Sequence, residues 1–261
     1  MAKRLLEVLL AFAEKPVMNM VELTERVGVP QSTAFRLVRT LRDAGLLTTT
    51  NGIYQIGPRI LQLAEAAKSQ FDVVALAGPE MERLADRTGE PLVLTALAGD
   101  YAVAVHTVAG RQAIRFTFNV GHTYPLHAGA SAKILFAFLG EAQRERILRT
   151  SKFERRTPQT TTDPKNLRVE LTHIRNQGYA ITAEEWEKGA LAIAAPIFGP
   201  MGTWGLSLVG PTFRLDAAEC KRLTKLVIES ARIITGEMSA IVAPAATPSL
   251  TQAENRSVQR K

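Results

Sequence analysis

The sequence predicts an α+β chain in two parts: a small N-terminal winged helix-turn-helix, joined through a linking helix to a larger domain of mixed helix and sheet. Three observations predict it. Residues 19–57 supply, in order, two short helices with a tight turn between them and then a hairpin. From about residue 91 the apolar pattern changes from a helical period to strand-like runs, P-L-V-L-T-A-L-A, Y-A-V-A-V-H-T-V and A-I-R-F-T-F, a β-meander separated by turn residues. With 261 residues, 46% of them hydrophobic, the chain is long enough to bury two cores.

The first element is a helix. In M-A-K-R-L-L-E-V-L-L-A-F the residues Leu5, Val8, Leu9 and Phe12 form one stripe, and Pro16 ends it. Glu7 and Glu14 interrupt the apolar start and no small-residue cleavage pattern follows, which argues against a signal peptide. Asn19 and Glu22 have the spacing of a capping box, so a second helix begins near Met20. Leu23, Thr24 and Val27 share a face of it, and Gly28 supplies the left-handed residue that stops it. Pro30 suits the first turn of a third helix, whose buried stripe is Ala34, Leu37, Val38 and Leu41.

The other face of that third helix carries Gln31, Ser32, Thr33, Arg36, Arg39 and Thr40, with no acid among them. Such a set suits the major groove of double-stranded DNA: Arg bridges guanine O6 and N7, Gln pairs with adenine, and hydroxyls near a helix start hold phosphates. An ordinary solvated face is the competing account, and the hairpin that follows weighs against it. Gly45 closes the helix, Leu46 and Leu47 begin a strand, Asn51-Gly52 is a type I′ turn signal, and Ile53 to Ile56 returns. Asn51 then belongs to a wing tip beside the duplex.

Charge alone would not reveal this. The net charge of +7, from 32 basic and 25 acidic residues, is spread along the chain, and residues 1–60 hold eight basic and five acidic residues. There is no run of 18 apolar residues, so no membrane span is expected. One cysteine, Cys220, excludes an internal disulfide and fits a reducing cytoplasm. His106, His122, His127 and His173 have no ligand-like spacing, so neither a metal nor a cofactor is expected.

The wing ends in G-P-R-I-L-Q-L-A-E-A-A-K, a proline-started helix with Ile60, Leu61, Leu63, Ala64 and Ala67 apolar, the kind of connector that packs on a partner. A further helix follows Asp72, with Leu76, Met81, Leu84 and Ala85 on one side and Gly89 at its end. Near the C-terminus Asp216 caps a long helix with Leu223, Leu226, Val227 and Ile234 in a stripe, which should pack on the sheet. Beyond it the Pro-, Ala- and Ser-rich stretch cannot bury enough apolar surface to fold. The expected division is residues 1–57 for the winged domain, 58–72 for the linking helix, 73–242 for the large domain and 243–261 for a disordered tail.

The chain resembles the IclR family of bacterial transcriptional regulators over about residues 3–240. The resemblance is carried by Q-S-T-A-F-R-L-V-R-T-L-R-D-A-G-L-L, Y-Q-I-G-P-R, G-H-T-Y-P-L-H-A-G-A-S-A-K-I-L-F-A-F-L, G-Y-A-I-T-A-E-E-W-E-K-G-A-L-A-I-A-A-P-I and G-L-S-L-V-G-P, all in order. It implies a C-terminal effector-binding domain of the GAF-like α/β type. It also implies homodimers, often paired into tetramers, on palindromic operators, with a repressor favoured over an activator.

The family's pocket lies between the sheet and the helix after P-L-H-A, here starting near Gly129 and running through Lys133 to Phe138. Backbone N–H groups of Ala130 and Ser131 at that helix start suit a carboxylate. Four positions in three segments depart from the family. Ala192 stands where many relatives have Cys, and Val209 replaces the second polar residue of the S-x-S-G-P segment while Ser207 is kept. Thr182 and Ala183 replace the pair Asp-Asp before Glu184 and Glu185. The candidate effector residues are therefore Ala130, Ser131, Glu184, Ala192, Ser207 and Val209. Each lost hydrogen bond to a buried polar ligand costs about 1 to 3 kcal/mol, which favours an aromatic carboxylate over glyoxylate or pyruvate.

Other classes are weaker. Ser131 with His127 would suggest a hydrolase, but no orienting Asp and no G-x-S-x-G elbow accompany them. GAF-like sulfoxide reductases use several cysteines, so the chain is expected not to be an enzyme. A ligand-free DNA-binding protein remains the other alternative, and Trp186 is a residue for either the pocket mouth or an interface.

Overall fold

The computed structural model describes residues 2–70, 73–200 and 202–242, so the expected tail from 243 lies outside the described residues. The chain divides into two compact units with the boundary between Ala75 and Leu76, residues 119–122 grouping with the first.

The first unit runs α1 (Ala2–Glu14), β1 (Val17–Asn19), α2 (Met20–Val27), α3 (Gln31–Asp43), β2 (Leu47–Thr50), β3 (Ile53–Ile56) and α4 (Arg59–Gln70). Its core is the set of stripes read from the sequence: Val8 and Phe12 of α1, Leu23 of α2, and Ala34, Leu37, Val38 and Leu41 of α3, all buried. Full burial of a Leu or Phe side chain contributes about 1.5 to 3 kcal/mol, so these apolar faces hold the three helices together. Both capping-box bonds form, Glu22 N–H to Asn19 Oδ1 at 3.0 Å and Asn19 N–H to Glu22 Oε2 at 2.9 Å. Gly28 is left-handed with φ 64° and returns its N–H to the Thr24 carbonyl. Asn51 (φ 52°) and Gly52 (φ 77°) both take the positive φ of a type I′ turn.

Two details differ from the sequence reading. Pro30 is the N-cap of α3 rather than part of its first turn, with φ −58° and ψ 146°. The wing has a third strand: β1 pairs antiparallel with β3, Met18 opposite Tyr54, giving the order β1-β3-β2.

The second unit is built on α5 (Val73–Thr88), β4 (Leu92–Ala98), β5 (Tyr101–Val108), β6 (Thr123–Pro125), α6 (Ala130–Phe138), α7 (Glu141–Thr150), α8 (Pro164–Gln177), β7 (Ala180–Ala183), β8 (Ala190–Gly199), β9 (Gly202–Pro211) and α9 (Ala217–Val242). Six strands form one antiparallel sheet, ordered β6-β5-β4-β9-β8-β7. Strand alternation then sorts residues by face. Register pairs Val93 with Ser207, Thr95 with Gly205, Ala192 with both Val209 and Thr182, and Ala194 with both Ser207 and Ala180. Those residues share the face covered by α6, whose buried Ile134, Leu135 and Phe136 join Ala194 and Ala180 in one core with α8. Leu92, Leu94, Ile193, Ile197, Leu206 and Leu208, all buried, occupy the opposite face, where α9 packs as expected against β8 and β9.

One strand expectation fails. Residues 113–118, A-I-R-F-T-F, form no strand, and the edge beside β5 is taken by β6 through the pairs Tyr101–Pro125, Ala102–Tyr124 and Val103–Thr123. The helices α7 and α8 were absent from the sequence reading. α8 nevertheless carries standard ends, Asp163 capping the Asn166 N–H at 2.9 Å and a left-handed Gly178 at its close.

Candidate functional site

In the first unit, α3 turns Gln31, Ser32, Arg36, Arg39 and Thr40 to solvent, with Thr33 half-buried. Their exposure follows from the burial of Ala34, Leu37, Val38 and Leu41 on the other side. The Arg36 guanidinium makes no ion pair among the described residues, whereas Arg39 Nε lies 3.7 Å from Asp43 Oδ2. Thr40 Oγ1 donates to the Arg36 carbonyl at 3.1 Å, which leaves its lone pairs for an incoming donor. Two residues missed in the sequence join this face: Phe35, half exposed, and Arg42, which with Arg36, Arg39 and Tyr54 line a cleft between α3 and the wing. Phe35 is an apolar residue outside the helical stripe, and that misplacement was the available signal. Asn51 is exposed at the wing tip.

In the second unit a pocket opens between the sheet and the start of α6, with about 570 Å³ of empty space when its open mouth is included. Its sheet side is Val93, Thr95, Thr182, Ala192, Ser207 and Val209, the residues that the register places on one face. Its walls are aromatic: Phe116, Phe118, Tyr124 and Trp186. Thus the segment expected as a strand instead lends alternate phenylalanines to the pocket. Burial pushes the Tyr124 phenol up to about 12, so it is neutral, and its ring meets Trp186 edge-on at 5.0 Å.

The helix start approaches the sheet closely because residue 205 is glycine. A Cβ there would lie 2.9 Å from the Ser131 carbonyl oxygen and 2.7 Å from Thr95 Oγ1. That approach lets Thr95 Oγ1 and Ser131 Oγ hydrogen-bond at 2.6 Å. Ser207 Oγ, buried on the same face, is the one buried side-chain polar atom without a hydrogen-bond partner among the described residues.

A buried ion cluster braces this end of α6. Lys133 is fully buried, its Nζ 2.6 Å from Glu185 Oε1 and 2.5 Å from Glu170 Oε1. Glu185 Oε2 accepts the Gly129 N–H at 3.2 Å. Burial, set against the attraction of Lys133, pushes the Glu185 carboxyl above its usual range. The carbonyls of Glu184 and Glu185 are in turn held by Thr157 Oγ1 at 2.6 Å and Thr160 Oγ1 at 2.7 Å. Outside this latch, Arg156 stacks on Trp186 with its guanidinium carbon 3.6 Å from the ring centroid.

Of the six effector candidates from the sequence, Ala130, Ser131, Ala192, Ser207 and Val209 line the pocket. Glu184 does not. It has a positive φ of 58°, and its carboxylate accepts the Gly189 N–H at 2.8 Å, so it shapes the turn while Glu185 reaches the lining. Sequence reasoning also passed over Lys133 and Thr95. A lone lysine in the apolar run A-S-A-K-I-L-F-A-F was the signal that a buried carboxylate partner must exist.

Ser131 and His127 are held by different partners. Ser131 bonds to Thr95, while the buried His127 ring donates from Nε2 to the Glu154 carbonyl at 2.8 Å and rests against Phe153. Among the described residues no cluster of three His, Cys, Asp or Glu side chains could hold a metal ion, and no helix is long and apolar enough to cross a membrane.

The comparisons with known proteins cover both units. The profile of the IclR helix-turn-helix domain matches residues 2–50, and that of the bacterial transcriptional regulator IclR C-terminal domain matches residues 65–235. The chain is 33% identical to the HTH-type transcriptional regulator BhcR of Paracoccus denitrificans over 240 residues, 90% of this chain and 86% of that one. Among solved structures, an IclR homolog from Microbacterium hydrocarbonoxydans complexed with 4-hydroxybenzoate aligns with a TM-score of 0.75 at 27% identity, covering 91% of this chain and 98% of that one. A putative IclR regulator from Silicibacter sp. TM1040 shares the fold with a TM-score of 0.82 at 24% identity, over 91% of this chain and 95% of that one.

Proposed function

The chain belongs to the IclR family of bacterial transcriptional regulators, and from that membership we propose that it represses catabolic genes and releases their operator when an aromatic carboxylate fills the pocket. The observation that carries the ligand class is the lining. Phe116, Phe118, Tyr124 and Trp186 wall a floor that has Ala192 and Val209 where two polar groups would serve a small oxo acid. An aromatic ring gains contact area from such walls, whereas glyoxylate would leave them wet. The 4-hydroxybenzoate held by the Microbacterium relative is of the same chemical class. On the DNA side, α3 enters the major groove with Gln31, Ser32, Thr33, Arg36, Arg39 and Thr40, and Asn51 lies at the wing tip. Two copies read a palindrome, and the helix α4 relays the effector signal between pocket and DNA.

The test is thermal unfolding of the purified protein with hydroxylated benzoates, glyoxylate and pyruvate, followed by gel shift on DNA from the gene's own promoter. A ligand at a hundredfold excess over Kd stabilises the folded state by about 2.7 kcal/mol, a readily seen shift. Aromatic acids should raise the melting temperature and release the promoter fragment. Equal stabilisation by both classes sinks the aromatic assignment, tighter DNA binding with ligand sinks the repressor assignment, and DNA binding indifferent to every compound supports a ligand-free protein.

A further inference from the structure

The pocket's polar groups are arranged so that they orient a ligand. At the sheet, the Ser207 hydroxyl is buried with no partner, on the same face as the Thr95–Ser131 pair. At the start of α6, where a helix N-terminus attracts an anion, the place is held by the chain's own Glu185 carboxylate through the Gly129 N–H. No Lys, Arg or His belongs to the lining. A ligand carboxylate driven into that end would meet a buried like charge that water does not screen. Neutral hydroxyl or carbonyl groups meet no such penalty, and Ser207 has bonding capacity to offer them.

At the exposed end the chemistry is reversed. Arg156 is exposed, stacked 3.6 Å above the centroid of Trp186, a pocket wall, and its guanidinium makes no hydrogen bond or ion pair among the described residues. Stacking holds the planar fork in place while its N–H groups remain available to a carboxylate. Glu187, the other acid of the lining, is exposed, where water and salt screen it.

Resting on the aromatic-carboxylate reading above, we propose that Arg156 is a specificity residue that pairs with the ligand's anionic group at the mouth, while a neutral polar group at the ligand's other end bonds to Ser207. The effector is then an aromatic acid with a hydroxyl or carbonyl opposite its carboxylate, bound hydroxyl-inward.

Calorimetric titration of 4-hydroxybenzoate, its methyl ester and benzoate into the wild-type, Arg156→Gln, Arg156→Lys and Ser207→Ala proteins tests this. Arg156→Gln should weaken 4-hydroxybenzoate about tenfold and leave the ester unchanged, with Arg156→Lys recovering much of the loss. Added salt should shrink the gap between wild type and Arg156→Gln. Ser207→Ala should weaken 4-hydroxybenzoate and its ester about fivefold and leave benzoate unchanged. Indifference of 4-hydroxybenzoate to Arg156→Gln, or a loss shared by the ester, overturns the role of Arg156 while the aromatic pocket stands. A Ser207→Ala loss that extends to benzoate overturns the inward hydroxyl. Failure of all three compounds to bind the wild type overturns both this assignment and the reading on which it rests.

Discussion

Lys133 ties the pocket to the rest of its domain, because one buried ammonium is shared between Glu170 and Glu185 while Glu185 also holds the helix start. Removing one partner of a buried pair leaves an uncompensated charge and costs about 3 to 5 kcal/mol, so Lys133→Met should lower the urea midpoint of the full chain by a corresponding amount. The same cluster has a pH signature. Burial raises the Glu185 carboxyl in the folded state, so the folded protein binds more protons than the unfolded one above the usual carboxylate value of 4.5. Its contribution is complete below that value and is lost as pH rises through the raised one. His127 works the other way: burial lowers its folded value below 6.5, so its contribution is present above 6.5 and is lost as pH falls. Because the two groups contribute with opposite pH dependence, the diagnostic quantity is the difference between wild type and Glu185→Gln. The variant should lose less stability than wild type as pH rises from 4.5, and an identical pH profile for the two would refute the assignment. On the exposed face of α3, Arg36 has no ion pair among the described residues, so Arg36→Ala should cost about 1 to 3 kcal/mol on the operator if it reads a base as proposed. An equal loss on random DNA would make it a phosphate contact.

At the scale of elements, the winged unit was legible because its signals are local. The capping box of Asn19 and Glu22, the left-handed Gly28 and the Asn51-Gly52 turn each act within a few residues of the chain, and each forms. Asn19→Ala removes the side-chain acceptor of the Glu22 N–H while keeping the backbone donor to Glu22, so it should destabilise the protein by about 1 kcal/mol, seen as a lowered melting temperature with DNA contacts intact. An unchanged melting temperature would show that α2 is held by packing alone. The larger unit was legible only where alternation meets pairing. In A-I-R-F-T-F the alternation is real, with Phe116 and Phe118 half-buried and Arg115 and Thr117 exposed, but it records burial against the pocket rather than a place in the sheet. Alternation reports that one side is covered, not what covers it. The helices α7 and α8 escaped notice because their apolar sets are sparse: two buried residues, Ile147 and Leu148, in α7 and three, Leu167, Leu171 and Ile174, in α8. In the pocket, resemblance led to Ser131, Ser207 and Ala192, while Thr95 and Glu185 depend on Gly205 and on a lysine whose partners lie 37 and 52 residues away in the chain.

For the whole molecule the open quantity is the number of copies on DNA. One helix such as α3 spans too few base pairs to single out a site in a genome, and the proposed pairing of two copies on a palindrome would place a second such helix in the groove about 34 Å along the duplex. For the proposed pairing of two copies, α4 offers a broad apolar arc: Leu61 and Leu63, 68% and 57% exposed, lie on either side of Ile60 and Ala64, which stack one turn apart. Contiguous exposed apolar area marks an association surface, whereas single exposed leucines are ordinary. Replacing both by glutamate should therefore separate the copies without disturbing either core, since neither residue is part of one. If the proposed pairing runs through α4, sedimentation should then show a smaller species than the wild type, and operator affinity should fall toward that for random DNA, a loss of about 10³-fold or more. The stability of the single chain should stay within about 0.5 kcal/mol, as for other surface substitutions. A double variant that still sediments as the wild type and still selects its operator would refute α4 as the assembly surface, and with it the proposal that α4 couples the effector to DNA.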